Sequence, residues 1–214
     1  ASHNPARYNG FKICREHAIP VGEATGLREI EAGTAGRANA PSRRGEAACE
    51  EVEILSHYAD HVLGVAEGAR ESRLRVAIDC GNGMASVGLE PVLEKLSLEV
   101  ERLYFEPDGT FPNHEADPLK QQNLEDLRQA VLRTGADLGV AFDGDADRAV
   151  FVDEKAQPIS SDLMTGVLAR RQLAREPGGR VLYDLRSSRV VAEEIEAAGG
   201  VAVMSRVGHS FVKA

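Results

Sequence analysis

The sequence predicts an α/β protein whose sheets are mixed and mostly parallel. From residue 49 onward, short apolar runs alternate with segments whose apolar residues recur at helical spacing. Glycine-bearing turns close two of the early runs, as in Gly81-Asn82-Gly83 and Pro107-Asp108-Gly109. This order of strand, helix, strand and helix is typical of α/β folds in which helices connect parallel strands.

The elements of a first unit follow one another between residues 48 and 157. The predicted elements are a helix in 49–70, a strand in 74–83 that ends in the glycine turn, a helix in 84–96, a strand in 98–109, a helix in 118–135, and strands at Leu138–Phe142 and Ala149–Val152. Pro118 near the start of the third helix and Gly135 just past its end match the positions that these residues prefer.

A second unit begins at residue 158, because the polar loop 154–158 interrupts the alternation. It is predicted to contain a helix at 161–176 with Ser161 as its N-cap, a strand at 180–185, a helix at 188–200 and a strand at 201–208. Residues 1–47 show little periodicity beyond a short helix around Leu27–Ala32. Because the chain opens without Met and ends within a pattern, we expect a piece of a longer protein.

Composition narrows the function classes. The formal net charge of −9 argues against non-specific binding to nucleic acid or to an anionic membrane, both of which favour a basic surface. The three cysteines are widely spaced and contain no CxxC pair, so they predict free thiols in a reducing compartment. No signal peptide or long apolar segment is present, and we expect a soluble, cytoplasmic protein.

Three aspartates stand between two apolar runs in the stretch DLGVAFDGDADRAVFVDE. Asp143, Asp145 and Asp147 repel one another at the end of a predicted buried strand, and a bound cation would relieve that repulsion. Ligation by carboxylate oxygens suits a hard cation, Mg²⁺ or Ca²⁺. Arg148 directly after them suggests an anionic ligand such as phosphate, or a simple ion pair with one aspartate.

Two other interpretations of the aspartates remain at this point. In an EF-hand loop they would take positions one, three and five, with Glu154 at twelve, but Arg148 stands where that loop needs glycine and the flanks are β-rich. They could also be solvated turn residues, against which their place between two apolar runs argues.

Three further segments are ambiguous when taken alone. ASHNPARYNGFK offers a serine on a turn, with a lysine ten residues later, or is an ordinary loop. DCGNGMASVG imitates a dinucleotide fingerprint but has Ser86 where the third glycine belongs, so a tight strand-to-helix turn is favoured. RVGHSFVK after a strand presents backbone N–H groups and an imidazole to a ligand, or is a plain turn.

Taken together, these segments resemble the α-D-phosphohexomutase family in its phosphomannomutase/phosphoglucomutase branch. The similar segments are ASHNP…YNGFK, the phosphoserine loop; DGDADR, the metal loop; FPNHEADPLKQQNL; and VGHSFVK. The resemblance implies three-layer α/β domains in a chain truncated at both ends. Residues 1–47 would be the end of the first domain, 48–157 the second, and 158–214 the start of the third.

The resemblance also implies roles for matching positions. Ser2 would carry the phosphoryl group, and its phosphate would join Asp143, Asp145 and Asp147 as a ligand of one Mg²⁺. The remaining implied residues are His3, Lys12 and Arg148 around the phosphoserine, and Arg186, Gly208 and His209 as substrate contacts. Arg186 departs from the branch, which commonly has Lys there, and a planar guanidinium contacts phosphate differently from an ammonium.

The implied activity interconverts the 1- and 6-phosphates of mannose or glucose, with a hexose 1,6-bisphosphate as intermediate and activator. Lys12 and Arg148 would stabilise charge that develops on the phosphoryl oxygens. The expected partner is a small phosphosugar, with neither nucleic acid nor membrane, and the oligomeric state stays open. Two alternatives remain: a phosphoglucosamine or phosphopentose mutase of the same family, and a non-catalytic fragment that binds Mg²⁺ or phosphosugar. The fragment alone is expected to be inactive.

Overall fold

The computed structural model describes residues 4, 7–35, 50–66 and 73–208. Within these residues there are six α-helices and seven β-strands. The helices are α1 (Leu27–Ala35), α2 (Leu55–Val65), α3 (Ala85–Leu93), α4 (Glu125–Thr134), α5 (Ser161–Arg175) and α6 (Arg189–Ala197). The strands are β1 (Arg75–Asp79), β2 (Glu99–Leu103), β3 (Leu138–Phe142), β4 (Ala149–Asp153), β5 (Pro158–Ile159), β6 (Arg180–Asp184) and β7 (Val201–Ser205).

The strands form two mixed or parallel sheets, which confirms the predicted fold class. Five strands lie in the order β2-β1-β3-β4-β5, and the other sheet pairs β6 with β7. Strand β1 runs parallel to β2 and β3, whereas β4 is antiparallel to both β3 and β5, and β6 is parallel to β7. Because parallel strands end at one edge of a sheet, the loops after β1, β2 and β3 lie along the same edge.

Helices cover both faces of the five-stranded sheet, so this unit has three layers. On one face Leu127 and Val131 of α4 pack against the sheet in a cluster with Ala77 and Val152. Gly139 of β3 lies under this helix, since a Cβ there would come within 2.8 Å of a Val131 methyl group. Full burial of one Leu or Val side chain contributes about 1.5–3 kcal/mol to the free energy of unfolding.

The opposite face of the sheet packs against α3. Its cluster includes Val76 and Ile78 of β1, Val140 of β3, and Ala85 and Leu93 of α3. Helix α2 packs on the outside of this layer, through a small cluster formed by Ala59, Leu63 and Val92. Helices α5 and α6 cover the parallel pair β6–β7 with a separate cluster of Ala169, Leu173, Val191 and Ile195.

Several element boundaries differ from the sequence prediction. Helix α4 begins at Glu125 and not near Pro118; a 3-10 turn at Gln121–Leu124 precedes it. The Asn123 amide donates hydrogen bonds to the carbonyls of Glu115 and Asp117, both at 2.9 Å, which holds a turn where a helix was expected. Gly135 does end α4, in a left-handed conformation with φ 65°.

The other helix starts also shift. Helix α2 begins at Leu55, although its apolar periodicity suggested a start near residue 49. The N-cap of α5 is Ser160, not Ser161, because the Ser160 hydroxyl accepts a hydrogen bond from the Asp162 amide at 3.3 Å. Helix α1 extends from Leu27 to Ala35, three residues beyond the predicted helix.

The division into segments 1–47, 48–157 and 158–214 stays a prediction. Strand β5 pairs with β4, so the first sheet continues two residues past the predicted boundary at 157. In the described part of the first segment, Cys14 and Pro20 form an isolated antiparallel bridge. Cys14 and Cys80 are free thiols, as predicted; Cys49 lies outside the described residues. Across the described ranges, every helix is too short or too polar to cross a membrane.

Candidate active site

The acidic motif forms the loop between β3 and β4. The last ladder pair, Phe142 with Ala149, closes the hairpin, and the Ala146 amide donates to the Asp143 carbonyl at 3.0 Å. Ala146 itself has φ 61°, so the segment turns instead of continuing as a strand. This turn brings one carboxylate oxygen from each of Asp143, Asp145 and Asp147 within 4.8 Å of the others.

Asp143 is fully buried at the base of the loop. Its carboxylate accepts hydrogen bonds from the Arg148 backbone N–H at 3.0 Å and from Arg148 Nε at 2.9 Å, and Arg148 Nη2 lies 2.7 Å away. Burial raises the pKa of the Asp143 carboxyl above its usual value, and the Arg148 hydrogen bond and charge oppose that shift. Arg148 also reaches Asp147, with 3.5 Å between Nε and Oδ1.

Lys12 closes the other side of the acidic loop. Its Nζ lies 2.5 Å from Asp145 Oδ2 and 2.7 Å from Asp147 Oδ2. These hydrogen bonds raise the pKa of Lys12 above its usual range, so the side chain stays a cation at any physiological pH. The same contact lowers the pKa of Asp147.

The donor set fits a hard divalent cation. Three carboxylate oxygens face two cationic side chains, so the cluster keeps net negative charge, and opposite ligands of octahedral Mg²⁺ are about 4 Å apart. The EF-hand interpretation is wrong, because antiparallel strands β3 and β4 flank the loop where that motif needs helices. The solvated-turn interpretation fails for Asp143, which is buried; the side chains of Asp145 and Asp147 are 34% and 49% exposed.

The turn after β1 lies directly against the acidic loop. The Met84 amide donates to the Gly144 carbonyl at 2.9 Å. A Cβ placed on Gly83 would lie 2.8 Å from both the Cα and the carbonyl oxygen of Gly144, so only glycine fits there without displacing the loop. The segment DCGNGMASVG is therefore the tight strand-to-helix turn that was favoured over a dinucleotide fingerprint.

A buried pair behind this turn was not recognised in the sequence. Asp79, the last residue of β1, is 1% exposed and lies 2.9 Å from His114 Nε2. Asp79 stands at the carboxyl end of a buried strand, and His114 stands in FPNHEADP, one of the segments that carry the family resemblance. A carboxylate at a strand end was the available signal, but its partner 35 residues away could not be predicted from spacing.

A cavity of about 530 Å³ opens beside the acidic loop. Its polar lining includes Lys12 and Asp147, and the rest is largely apolar. The remaining lining residues are Phe11, Ile13, Cys14, Ala18, Pro20, Val21, Gly22 and Leu27. The volume matches a small-molecule site, but two charged groups are too few to bind a sugar phosphate alone.

The other predicted site residues lie elsewhere or outside the described part of the chain. Arg186 follows β6 and Gly208 follows β7, so both stand at the carboxyl end of the parallel pair. Arg186 binds its neighbour Asp184, with Nη2 2.7 Å from Oδ2. Ser2, His3 and His209 lie outside the described residues.

Comparison with known proteins gives consistent matches along the chain. Residues 56–156 match the family described as phosphoglucomutase/phosphomannomutase, alpha/beta/alpha domain II, and residues 1–40 match its alpha/beta/alpha domain I. A phosphomannomutase/phosphoglucomutase of Pseudomonas putida is 39% identical over 99% of this chain and 44% of its own length. A phosphomannomutase of Salmonella typhimurium is 38% identical over 100% of this chain and 48% of its own.

Solved structures agree with these matches. A phosphoglucomutase/phosphomannomutase family protein of Burkholderia thailandensis superimposes with a TM-score of 0.83 at 33% identity, over 99% of this chain and 45% of its own. A phosphomannomutase from Thermus thermophilus shares the fold, with a TM-score of 0.80 at 21% identity. The chain thus spans about half the length of the relatives it matches, and it belongs to the phosphoglucomutase/phosphomannomutase family.

Proposed function

We propose that the protein to which this chain belongs interconverts hexose 1-phosphates and hexose 6-phosphates, with mannose or glucose as the sugar. The observation that carries the proposal is the contact of Lys12 with Asp145 and Asp147. It places the segment that follows Ser2 directly beside the acidic loop, although the two motifs are far apart in sequence. A phosphoryl group on Ser2 would then have cations and a metal site nearby.

In the proposed reaction the phosphoryl group moves twice. The bond between phosphorus and Ser2 Oγ breaks as phosphorus bonds to the free hydroxyl oxygen of a hexose monophosphate. That hydroxyl loses its proton, and Ser2 regains a hydroxyl hydrogen. The resulting hexose 1,6-bisphosphate reorients and returns its other phosphoryl group to Ser2, with the reverse movement of the proton.

Asp143, Asp145 and Asp147 would hold one Mg²⁺, together with an oxygen of the Ser2 phosphate. When bound, this ion would supply electrostatic stabilisation of the phosphoryl group. The chain's own residues have distinct tasks around it. Arg148 neutralises the buried Asp143 and keeps its carboxylate oriented, through contacts at 2.7–3.0 Å. It also presents a guanidinium beside the loop, where charge develops on the phosphoryl oxygens.

Lys12 has two partners in this proposal. In the structure its ammonium binds the carboxylates of Asp145 and Asp147. With the carboxylates engaged as metal ligands, the flexible lysine stem is free to turn its ammonium toward the phosphoryl oxygens. His3, next to Ser2, is the proposed proton acceptor. Arg186, Gly208 and His209 are the proposed contacts to the sugar phosphate.

A coupled assay of the full-length protein tests this function. We expect turnover of mannose 1-phosphate or glucose 1-phosphate that requires Mg²⁺ and a trace of hexose 1,6-bisphosphate. Ser2→Ala should remove most of this turnover, while circular dichroism shows an unchanged fold. Faster turnover of glucosamine or pentose phosphates would assign another member of the family, and Mg²⁺ binding without turnover of any of these would assign a non-catalytic protein.

A further inference from the structure

His114 makes contacts that fix its protonation state. Its Nε2 lies 2.9 Å from Asp79 Oδ2, and its Nδ1 lies 2.9 Å from the Glu115 carbonyl oxygen. Both neighbours are acceptors, so both ring nitrogens must donate, and only the imidazolium has two N–H groups. The side chains are 14% and 1% exposed, so His114 and Asp79 form a buried ion pair.

The charges around His114 favour this cation. Asp79 raises the pKa of His114 most strongly, the Glu115 carbonyl and Asp126 raise it further, and burial opposes them. Tyr104 meets the imidazole edge-on, with ring centroids 5.3 Å apart. Its hydroxyl donates to Asp126 at 2.7 Å, and this contact raises the pKa of Tyr104 to about 12, so the tyrosine stays neutral.

The pair ties together two loops at the edge of the sheet. The second oxygen of Asp79 accepts a hydrogen bond from the Gly81 amide at 2.8 Å. A second tie runs from the Asn113 amide to Asn82 Oδ1, also at 2.8 Å. Through these contacts the loop around residues 111–117 braces the turn at 81–84, which follows β1.

The braced turn is the one that supports the acidic loop. Gly83 approaches Gly144 so closely that no side chain fits between them, and the Met84 amide binds the Gly144 carbonyl. Gly144 stands between Asp143 and Asp145, so a shift of the turn moves two of the three carboxylates. The connection from His114 to these carboxylates therefore runs through Asp79, the turn and Gly144, with direct contact at each step.

We propose that His114 is a positioning residue whose imidazolium, paired with Asp79, holds the acidic loop in the geometry that binds a divalent cation. This inference rests on the proposed metal site. It assigns to FPNHEADP a task that none of the proposed substrate or phosphoserine contacts performs. Loss of the charge on His114 removes one of its two donated hydrogen bonds, and the turn loses its brace.

The test is the Mg²⁺ dissociation constant of the intact chain, measured by calorimetry at neutral pH. We expect His114→Asn to weaken binding by about threefold to tenfold, at or below the lower end of the roughly 10–100-fold that changes to direct partners of metal ligands cost. Two variants serve as controls. His61→Asn changes an exposed histidine on α2, and Leu63→Ala destabilises the core of α2 and α3 away from the loop; neither should change the dissociation constant.

Asp79→Asn separates charge from geometry. Its amide oxygen still accepts from Gly81, its NH₂ donates to a neutral His114 Nε2, and Nδ1–H still donates to Glu115. We expect nearly normal Mg²⁺ affinity at neutral pH that persists in mildly alkaline solution, where the affinity of the wild-type chain falls. This comparison decides the matter even if His114→Asn fails to fold. In parallel, ¹⁵N-histidine NMR of the wild-type chain should show His114 doubly protonated at neutral pH.

Each outcome bears on the proposal. A neutral His114 in the NMR spectrum, or an Mg²⁺ affinity of folded His114→Asn equal to that of the wild-type chain, would overturn the positioning role and leave the metal site intact. The same alkaline fall in wild type and Asp79→Asn would also overturn it. A wild-type chain that does not bind Mg²⁺ would overturn the proposed metal site and this inference with it.

Discussion

The ammonium of Lys12 lies 2.5 Å from the Asp145 carboxylate, across 133 positions of the sequence. The pair is partly exposed, at 58% and 34% of the two side chains, so solvent screens it. Its importance lies in what it competes with. A divalent cation that uses Asp145 and Asp147 as ligands must displace the ammonium from both.

Lys12→Met should therefore tighten Mg²⁺ binding to this chain. Exposed ion pairs contribute about 0.2–1 kcal/mol each, so we expect the dissociation constant to fall by roughly twofold to tenfold. Lys155→Met, which removes a lysine paired with Glu154 on another turn, is the matched control in the same titration. Weaker binding after Lys12→Met would contradict the competition and would mean that Lys12 helps to shape the metal site.

Gly83→Ala should disturb the acidic loop by steric overlap alone. A Cβ at this position meets backbone atoms of Gly144 at 2.8 Å, and backbone cannot rotate away as a flexible side chain does. Forcing atoms into such a contact typically costs about 1–3 kcal/mol of the free energy of unfolding. We expect that loss in a denaturant melt, together with weaker Mg²⁺ binding.

Gly109→Ala is the control for the same loop-rich edge of the sheet. No heavy atom other than those of its immediate chain neighbours lies within 4 Å of a Cβ there, so stability and Mg²⁺ affinity should stay within error of the wild-type values. Equal behaviour of the two alanine variants would show that the approach of Gly83 to Gly144 is not as close in solution.

Arg148→Met should destabilise the fold by leaving Asp143 buried without its cation. Removing one partner of a buried pair costs about 3–5 kcal/mol, and because 31% of the Arg148 side chain is exposed, we expect the loss to be nearer 2–3 kcal/mol. Adding Asp143→Asn to Arg148→Met should recover part of that loss, because the uncompensated charge is removed. Arg170→Met, which breaks an exposed pair with Glu194, should change the unfolding free energy by less than about 0.5 kcal/mol.

The stability of the chain should depend on pH through His114. Asp79 raises the pKa of His114 above its ordinary 6.5, so the folded state holds the proton more tightly than the unfolded state. The resulting stabilisation is complete below about pH 6.5 and is lost as pH rises through the raised pKa. Melting temperatures measured across this range should fall for the wild-type chain and stay flatter for Asp79→Asn. Parallel curves for the two proteins would exclude His114 as the source.

Much of the fold could be predicted because its local signals agree. The apolar runs that became β1, β3 and β4 are bounded by residues that cannot continue a strand, and Gly135 ends α4 in the left-handed conformation that glycine favours. The start of α4 was misplaced because the side chain of Asn123 binds two carbonyls of the preceding turn. A side chain that binds backbone in this way leaves no trace in periodicity.

The candidate site could be predicted only where its residues are close in sequence. Asp143, Asp145, Asp147 and Arg148 share one short loop, and their chemistry is evident from the types of residue alone. The attachment of Lys12 to that loop, and the pairing of Asp79 with His114, depend on how distant segments pack. The family resemblance implied Lys12 as a neighbour of the phosphate, but it did not indicate which carboxylates the side chain binds in the absence of one.

The most direct test of the account is the phosphorylation state of Ser2 in the full-length protein. Peptide mass spectrometry of the resting protein should find a phosphoryl group on the peptide that contains Ser2. Incubation with a hexose monophosphate and Mg²⁺ should remove that group, and a hexose 1,6-bisphosphate should restore it. A Ser2 peptide that stays unmodified under all these conditions, in a protein that turns over hexose phosphates, would contradict the phosphoserine mechanism and leave only the metal site.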